Sequence, residues 1–229
     1  PTNGVLSGFL QDAGADNFTE LKSIIGSQFY RAWLGSHIFP SALMLEQMPC
    51  AYVPTTAYNP RGQQIHSYSH REKRVLAING QYLNIITRDL DIPAGILHIT
   101  DQKMQVPTIS KLINANGQSF SILKRALQVT SNSLASLLNR EDQMFTIFAP
   151  NDAAFDSFFH DLECSDLNGF IEIFGNDALE NLLSNHIIRG SHDITSQNGN
   201  NLKSLYQGED LQINLDAGSL KVSNSHGFE

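Results

Sequence analysis

The stretch "MFTIFAPNDAAFDSFF", from Met144 to Phe159, carries the strongest structural signal in the sequence, because its pattern is typical of a strand followed directly by a helix. Its first half is rich in residues that favour strands, and Pro150 ends the strand because proline cannot donate to a hydrogen-bond ladder. Asn151 is a preferred N-cap residue. The stretch therefore predicts a buried strand followed by a capped helix. The apolar face of that helix comprises Ala154, Phe155, Phe158 and Phe159.

The chain opens with a shortened version of the same pattern. Pro1 aligns with Pro150, 149 positions later, and the same offset aligns residues 34–38 with residues 183–187 without a gap. Self-similarity at a fixed offset is the signature of a repeated structural unit. The sequence therefore predicts two copies of one unit, of which the first lacks its beginning.

Farther along, the register between the copies changes. Asn79-Gly80 aligns with Ala217-Gly218 at an offset of 138, so the first copy holds 11 more residues (149 − 138). The extra residues fall between Met48 and Arg74, in a segment with three prolines and few periodic apolar positions. Because long connections of this kind usually lie at the surface, we expect the segment to form an exposed loop or lobe.

The second copy predicts helices first and strands afterwards. Thr108 is expected to cap a helix that continues to Ala115 and ends at Asn116-Gly117. Later helices follow apolar stripes, and one is expected to start at Asn176 or Asp177. Alternating segments, "NLKSLY", "LQINLD" and "SLKVS", then predict an antiparallel sheet, so the fold class is α+β. The stripes are Phe120, Leu123, Ala126 and Leu127; Leu134, Leu137 and Leu138; and Leu179, Leu182, Leu183 and His186.

Several motifs together resemble the fasciclin domain. "FTIFAPNDAAF", followed by "NHII" at residues 185–188, is similar to the family's first strand, the helix after it and a later histidine motif. "TISKLINANGQSFSILKRAL" is similar to its opening helices. "DIPAGILHITDQKMQVP" is similar to its closing strand, with His98 and Asp101 as a His-x-x-Asp element.

The resemblance implies a tandem of domains, each a cluster of short helices packed on a mainly antiparallel β-sheet wedge. The expected limits are 1–106, without the opening helices and first strand, and 107–229, without the closing strand. The implied function is non-catalytic adhesion or matrix interaction outside the cell, by a protein that is secreted or anchored at the cell surface. The implied partners are an integrin-like receptor or a matrix protein, with self-association as a further option. The alternative is a ligand- or glycan-binding module of a scavenger-type surface receptor.

Two histidines at equivalent positions, His37 and His186, invite a catalytic interpretation with Asn3 or Asp152 as an orienting partner. Each histidine, however, completes an apolar stripe, and a histidine in that position is usually a hydrogen-bonded core residue. The resemblance implies the same, because these histidines, together with Pro150, Asp152, His98 and Asp101, belong to the family's structural signature. We therefore predict structural roles for them.

Composition and motifs argue against other classes of function. The chain has 229 residues and a net charge of −8, and the acidic excess lies in the second half, where 7 Lys/Arg face 15 Asp/Glu. The acidic excess disfavours nucleic-acid binding, because phosphate backbones are bound by clustered cations. No nucleophile elbow, phosphate loop or metal-ligand spacing is present, so neither an enzyme nor a cofactor is expected. Cys50 and Cys164 are expected to stay unpaired, because the repeat provides no symmetry reason for a bridge between them.

Three surface features could carry binding or modification. Asn17-Phe18-Thr19 is the one glycosylation acceptor pattern. The cationic run "HSYSHREKR", from His66 to Arg74, could touch an acidic glycan, although such a run is more often a solvated loop. The acidic residues that follow Asp152 lack the alternation and central glycine of a calcium loop, and we interpret them as a solvated face.

The last candidate is Asp91-Ile92 in "LDIPAGILHITD". In matrix members of the fasciclin family, an Asp-Ile element just before the closing strand has been proposed to contact integrins, and the resemblance implies a partner-binding role here. Pro93 departs from the family's usual apolar residue. The alternative is that Asp91 is a turn residue and that Ile92 is buried beneath it.

Overall fold

The structure, a computed structural model, describes residues 1–72, 75–130, 133–140, 143–206, 210–216 and 219–224. The chain divides into two compact units, Pro1–Asn116 and Gly117–Glu229. The units differ from the predicted domain limits by one helix, α4 (Ile109–Ala115), which packs on the sheet of unit 1. The predicted limits themselves, 1–106 and 107–229, stay a prediction.

Unit 1 contains the helices α1 to α4 and two groups of strands. Apart from α4, its elements are α1 (Asn3–Asp12), α2 (Phe18–Ile25), α3 (Ser27–Gly35), β1 (Ala51–Tyr58), β2 (Gln64–Glu72), β3 (Val75–Ile78), β4 (Gln81–Leu83), β5 (Ile85–Ile92) and β6 (Gly95–Thr100). Strands β1 to β4 form an antiparallel sheet in chain order, and β5 pairs with β6 as a separate hairpin. A core cluster lies beneath the sheet and includes Leu45, Met48, Leu76, Ile78, Leu83 and Met104.

The prediction of an exposed loop between Met48 and Arg74 is wrong. The segment supplies β1 and β2, and in β1 every second residue from Val53 to Ala57 is buried. Pro54 is tolerated because β1 is an edge strand, where its missing N–H breaks no ladder bond. Lys73 and Arg74, which end the cationic run, lie outside the described residues. The rest of the run, residues 66–72, belongs to β2 and is therefore not a loop.

Unit 2 follows the predicted order of helices and strands. Its elements are α5 (Ser121–Val129), α6 (Ser133–Leu138), β7 (Phe145–Ile147), α7 (Asp152–Asp161), α8 (Leu167–Asn185), β8 (Ile187–Arg189), β9 (Asn201–Lys203), β10 (Asp210–Asp216) and β11 (Ser219–Asn224). Strand β7 pairs with β8, and β9, β10 and β11 form an antiparallel sheet with β10 in the centre. The α+β prediction is confirmed.

The capping and stripe predictions hold at named residues. The Thr108 side chain accepts a hydrogen bond from the Lys111 N–H at the start of α4, and the Asn151 side chain accepts one from the Ala154 N–H at the start of α7. The stripes of α5 and α6 are buried at Leu123, Ala126, Leu127, Leu134 and Leu138. In α7, Phe155 and Phe159 are buried, whereas Ala154 is exposed.

The predicted start of the last long helix, at Asn176 or Asp177, is only partly right. Helix α8 begins nine residues earlier, at Leu167, where the Asp166 side chain accepts a hydrogen bond from the Gly169 N–H. Gly175 interrupts it with φ 83° and ψ 167°, so two helical segments meet there and the second begins at Asn176. Only glycine adopts this conformation without a steric penalty.

The repeat is visible in the backbone of both units. Helices α1 and α7 begin 149 residues apart and have the same length, and α2 corresponds in the same way to the first segment of α8. Gly26, with φ 82° and ψ 144°, matches Gly175. The β3–β4 hairpin matches the β10–β11 hairpin at the second offset, since Ile78 pairs with Gln81 as residue 216 pairs with residue 219.

Equivalent positions of the two units differ in burial. In unit 2, Leu183 is 2% exposed and Ile187 is 0% exposed, because Ile187 lies in β8 and pairs with Ile147 of β7. Their counterparts in unit 1, Leu34 and Ile38, are 42% and 55% exposed. In unit 1 the Thr56 N–H of β1 donates to the Ile38 carbonyl at 2.9 Å, but no described strand pairs with the segment at Ile38 as β7 pairs with β8. Leu183 and Ile187 are therefore more buried than their counterparts because unit 2 contains β7, which pairs with β8.

Candidate functional site

The tip of the β5–β6 hairpin presents Asp91 and Ile92 to solvent. Asp91 pairs with Ile96 across the hairpin, Ile92 pairs with Gly95, and Pro93 and Ala94 form the turn between them. Ile92 is 45% exposed, so the alternative in which it is buried beneath the turn is wrong. The Asp91 carboxylate is exposed and makes no hydrogen bond or ion pair with any described residue.

Two leucines extend the apolar surface beside Ile92. Leu90 and Leu97 face each other across the hairpin and are 39% and 44% exposed. Residues two apart on a strand share a face, so Leu90 and Ile92 lie on one side of the hairpin, with Asp91 on the other. The tip therefore combines a free carboxylate with an exposed apolar strip, which we call the hairpin tip (Leu90, Asp91, Ile92 and Leu97).

The middle of the hairpin is fixed by His98 and Asp89. His98 Nδ1 accepts a hydrogen bond from the Asp89 N–H at 3.2 Å, so Nε2 carries the proton and donates to the Leu43 carbonyl at 2.9 Å. The Asp89 carboxylate accepts from the Leu45 N–H at 2.7 Å. Asp89 has φ 56° within an irregular part of β5. These bonds hold the irregular part of β5 directly beside the hairpin tip and so orient the tip.

Asp101 fixes the other end of the hairpin. Its carboxylate accepts a hydrogen bond from the Asn84 side chain at 2.5 Å, and its N–H donates to the Asn84 carbonyl at 3.3 Å. Asn84 immediately precedes β5, and Asp101 immediately follows β6. The pair therefore closes the hairpin at its open end, which makes Asp101 a positioning residue for β5 and β6.

His37 has both ring nitrogens bonded to the backbone. Met104 N–H donates to Nε2 at 3.0 Å, so Nδ1 carries the proton and donates to the Trp33 carbonyl at 2.8 Å. The ring meets Trp33 edge-on with centroids 5.4 Å apart. Burial lowers the pKa of His37 below its ordinary value, against a smaller opposing effect of the bond to Trp33. Neither nitrogen is available for proton transfer, and Asn3 is not among its partners.

His186 repeats half of this arrangement in unit 2. Its Nδ1 lies 2.8 Å from the Leu182 carbonyl, four residues earlier, as His37 Nδ1 does with respect to Trp33. The structure does not bring Asp152 to His186 as an orienting partner, because the Asp152 carboxylate is bonded elsewhere. The catalytic interpretation of either histidine therefore has no geometry to support it.

Asp152, which follows Pro150-Asn151, caps helix α5 from outside. Its carboxylate accepts hydrogen bonds from the Ser121 hydroxyl at 2.7 Å, the Ser121 N–H at 3.1 Å and the Ile122 N–H at 2.8 Å. Burial raises the pKa of Asp152, but these bonds outweigh it, so the pKa lies below its ordinary value. Phe120 at the N-cap position supplies no side-chain bond, and Asp152 takes over that function.

The remaining candidates have simple surroundings. Asn17 is exposed and caps α2, since its side-chain oxygen accepts from the Glu20 N–H at 3.0 Å. The amide nitrogen to which a glycan would be attached is not used in that bond. Cys50 is exposed, Cys164 is buried and both are free.

Metal-binding clusters and membrane-spanning helices are both absent from the described part of the chain. No group of three or more His, Cys, Asp or Glu side chains within these ranges is placed to hold a metal ion. None of the helices described is both long enough and apolar enough to span a bilayer.

Part of the sequence matches a known family, and the fold is similar to that of solved structures. The model of the fasciclin domain family matches residues 118–228. Eight solved chains are similar in structure. One is described as a FAS1 domain pair from the insect cell adhesion molecule fasciclin I; its TM-score is 0.56 at 16% sequence identity, over 99% of this chain and 78% of that one. Curated protein sequences include no match to the chain.

Proposed function

Since the chain contains a fasciclin domain at residues 118–228, we propose that it is an extracellular adhesion module that binds a cell-surface receptor of the integrin type through the hairpin tip of unit 1. The observation that carries the proposal is the exposure of Asp91 and Ile92 at the end of β5. The domain pair of similar structure comes from a cell adhesion molecule, which agrees with this class of function.

The chemistry of the hairpin tip suits such a receptor. A carboxylate without an intramolecular partner can complete the coordination of a hard cation held by the receptor, since such ions take oxygen ligands. Ile92 and its neighbours Leu90 and Leu97 supply apolar area that would be buried around that contact. The bonds of Asp89 and His98 fix the hairpin beforehand, which lowers the entropic cost of binding.

The overall affinity of weak contacts of this kind rises when several copies are displayed together. A surface that displays several adhesion domains raises the effective concentration of each site after the first has bound. We therefore propose that the protein acts where many copies are held together, whether secreted into the matrix or anchored at a cell surface. A matrix protein, or a second copy of the chain, would be an additional partner, and no catalytic step is assigned to either unit.

Cell attachment to the immobilised chain tests the proposal. Asp91→Ala and Ile92→Ala are each expected to reduce attachment severalfold without changing the melting temperature, because both side chains are exposed. Asp156→Ala, which removes another exposed carboxylate, on α7, is the matched control and is expected to attach cells as the unaltered chain does. Equal attachment for Asp91→Ala and Asp156→Ala would reject the hairpin tip as the site.

The second candidate function is a glycan-binding module of a scavenger-type receptor. One specific observation favours it, namely an open cavity in unit 1 beside the exposed ring of Tyr82. The two functions use different residues and can be tested separately.

A further inference from the structure

Unit 1 has an open cavity of about 540 Å³ next to strand β4. This volume lies in the range of about 300–1,000 Å³ that is usual for small-ligand pockets. Leu45 and Leu83, both members of the core cluster, form an apolar part of the lining. The remaining lining residues are Val75, Tyr82, Asn84, Ile85, Arg88 and Gln102.

Two amides in the lining have unused hydrogen-bonding groups. The side-chain oxygen of Gln102 is buried and accepts no hydrogen bond from any described residue. The side-chain nitrogen of Asn84 donates a hydrogen bond to the Asp101 carboxylate. The side-chain oxygen of Asn84 can therefore accept a hydrogen bond from another donor. An unpaired buried acceptor is unfavourable in the free protein, and this oxygen is fully covered by its neighbours. The Gln102 side chain must therefore turn toward the cavity before a ligand can donate a hydrogen bond to it, and that bond then removes the penalty.

An aromatic ring and one cation stand beside these amides. Tyr82 is 57% exposed, although it lies on a strand of the main sheet, so much of its ring is open to a ligand. Arg88 is also largely exposed and makes only a loose ion pair, with its Nε 3.9 Å from the Asp89 carboxylate. Arg88 can therefore donate hydrogen bonds into the cavity.

The positive and negative charges around the cavity nearly cancel, so they do not favour an anionic ligand. Arg88 is the cation among the lining residues, while the carboxylates of Asp89 and Asp101 lie beside Arg88 and Asn84. A ligand with a carboxylate would meet about as much repulsion as attraction. A neutral ligand with several hydroxyl groups would satisfy both the acceptors and the donor.

We propose that this cavity binds a neutral pyranose sugar unit. The apolar face of the sugar ring would stack on Tyr82, its hydroxyls would donate to Gln102 and Asn84, and another hydroxyl would accept from Arg88. A peptide side chain of similar size has too few hydroxyls to serve both amides and Arg88 at once. The site involves none of the hairpin-tip residues and does not depend on the adhesion proposal.

Titration of the full chain with single sugars, followed by the NMR signals of the Gln102 and Asn84 side-chain amides, tests the site. The probes are methyl β-glucoside, methyl β-galactoside, N-acetylglucosamine and glucuronate. At least one neutral sugar is expected to shift both amide signals saturably, with a Kd on the order of 1 mM for a ligand of this size. Glucuronate is expected to bind no more tightly than the best neutral sugar.

Variants of Tyr82 test whether the sugar ring stacks on this side chain. Tyr82→Ala is expected to weaken sugar binding about tenfold, whereas Tyr82→Phe retains it. Tyr58→Ala is the matched control, because Tyr58 is 53% exposed on β1, at the opposite edge of the same sheet. Absence of a saturable shift with all four sugars, tighter binding of glucuronate, or equal effects of Tyr82→Ala and Tyr58→Ala would overturn the proposal. None of these results would alter cell attachment through Asp91.

Discussion

Asp152 caps the helix that begins at Ser121, and its carboxylate accepts hydrogen bonds from both the hydroxyl and the N–H of that serine. The first N–H groups of a helix have no partner within it, and a negative charge at that end is favoured by the helix dipole. The motif that follows β7 thus joins two helices of unit 2. At the equivalent position of unit 1, Asn3 is exposed and α5 has no described counterpart.

Asp152→Ala is therefore expected to lower the free energy of unfolding of unit 2 by about 1–2 kcal/mol, the usual value for a lost cap. Asn3→Ala is the matched control and should change stability by less than about 0.5 kcal/mol, as exposed substitutions do. Denaturant unfolding, followed by residue-specific NMR signals, measures both. Equal losses at the two positions would contradict the capping role.

The stability of unit 1 is expected to depend on the charge of His37. Its pKa is lowered in the folded state, so the unfolded chain takes up a proton first as the pH falls. Stability should be fully present above the ordinary histidine pKa of about 6.5 and decline as the pH drops below it, down to the folded pKa. Unfolding of the chain and of His37→Gln across this range measures the effect. A decline of the same size in His37→Gln would exclude His37 as its source.

His186→Ala is expected to destabilise unit 2 by roughly 1–3 kcal/mol, because it leaves a cavity and removes the partner of the Leu182 carbonyl. Cell attachment by the folded variant should be unchanged, since the residue takes no part in binding. His160→Ala, which alters a histidine whose side chain is 90% exposed, controls for a general effect. An unchanged melting temperature with lost attachment would assign His186 a chemical role instead.

Equivalent isoleucines of the two units should respond differently to truncation. Ile187→Ala is expected to cost about 2–4 kcal/mol because the side chain is fully buried, whereas Ile38→Ala should cost under about 0.5 kcal/mol because it is 55% exposed. Calorimetry of both variants provides the comparison. Similar costs would mean that the two positions have similar surroundings in solution.

Much of the helical framework could be predicted because its signals are local. Thr108 and Asn151 cap helices through their own side chains, and such bonds depend on a few neighbouring residues. The helix that starts at Leu167 was missed because Gly169 and Gly175 interrupt its pattern. The repeat contained a usable signal, since Asn17 and Asp166 are both N-cap residues and lie 149 positions apart.

The strands β1 and β2 could not be predicted from hydrophobic alternation, since several of their buried residues are polar. Thr55, Ser67 and Ser69 are fully buried. The Thr55 hydroxyl donates to the Ile65 carbonyl at 2.7 Å, and the Ser69 hydroxyl donates to the Pro49 carbonyl. A buried polar residue with such a partner carries little penalty, and its sequence looks like that of a loop.

The position of Asp91 and Ile92 at the hairpin was predicted from a resemblance, whereas the contacts that hold the hairpin were not. Asp89 and His98 meet only because a bulge brings the Asp89 N–H to the imidazole. No spacing in the sequence specifies such a bond. Exposure of Ile92 likewise depends on the turn at Pro93-Ala94, which sequence reasoning left open between two alternatives.

The proposed receptor site at Asp91 can be tested with a panel of purified integrin ectodomains. Their binding to the immobilised chain is measured by surface plasmon resonance with Mg²⁺ and again after chelation. At least one ectodomain is expected to bind in Mg²⁺ and to be released by the chelator. Asp91→Asn, which preserves size but removes the charge, is expected to weaken that binding at least about tenfold, while Asp156→Asn leaves it unchanged. Binding that survives chelation, or Asp91→Asn binding as tightly as the unaltered chain, would contradict the account.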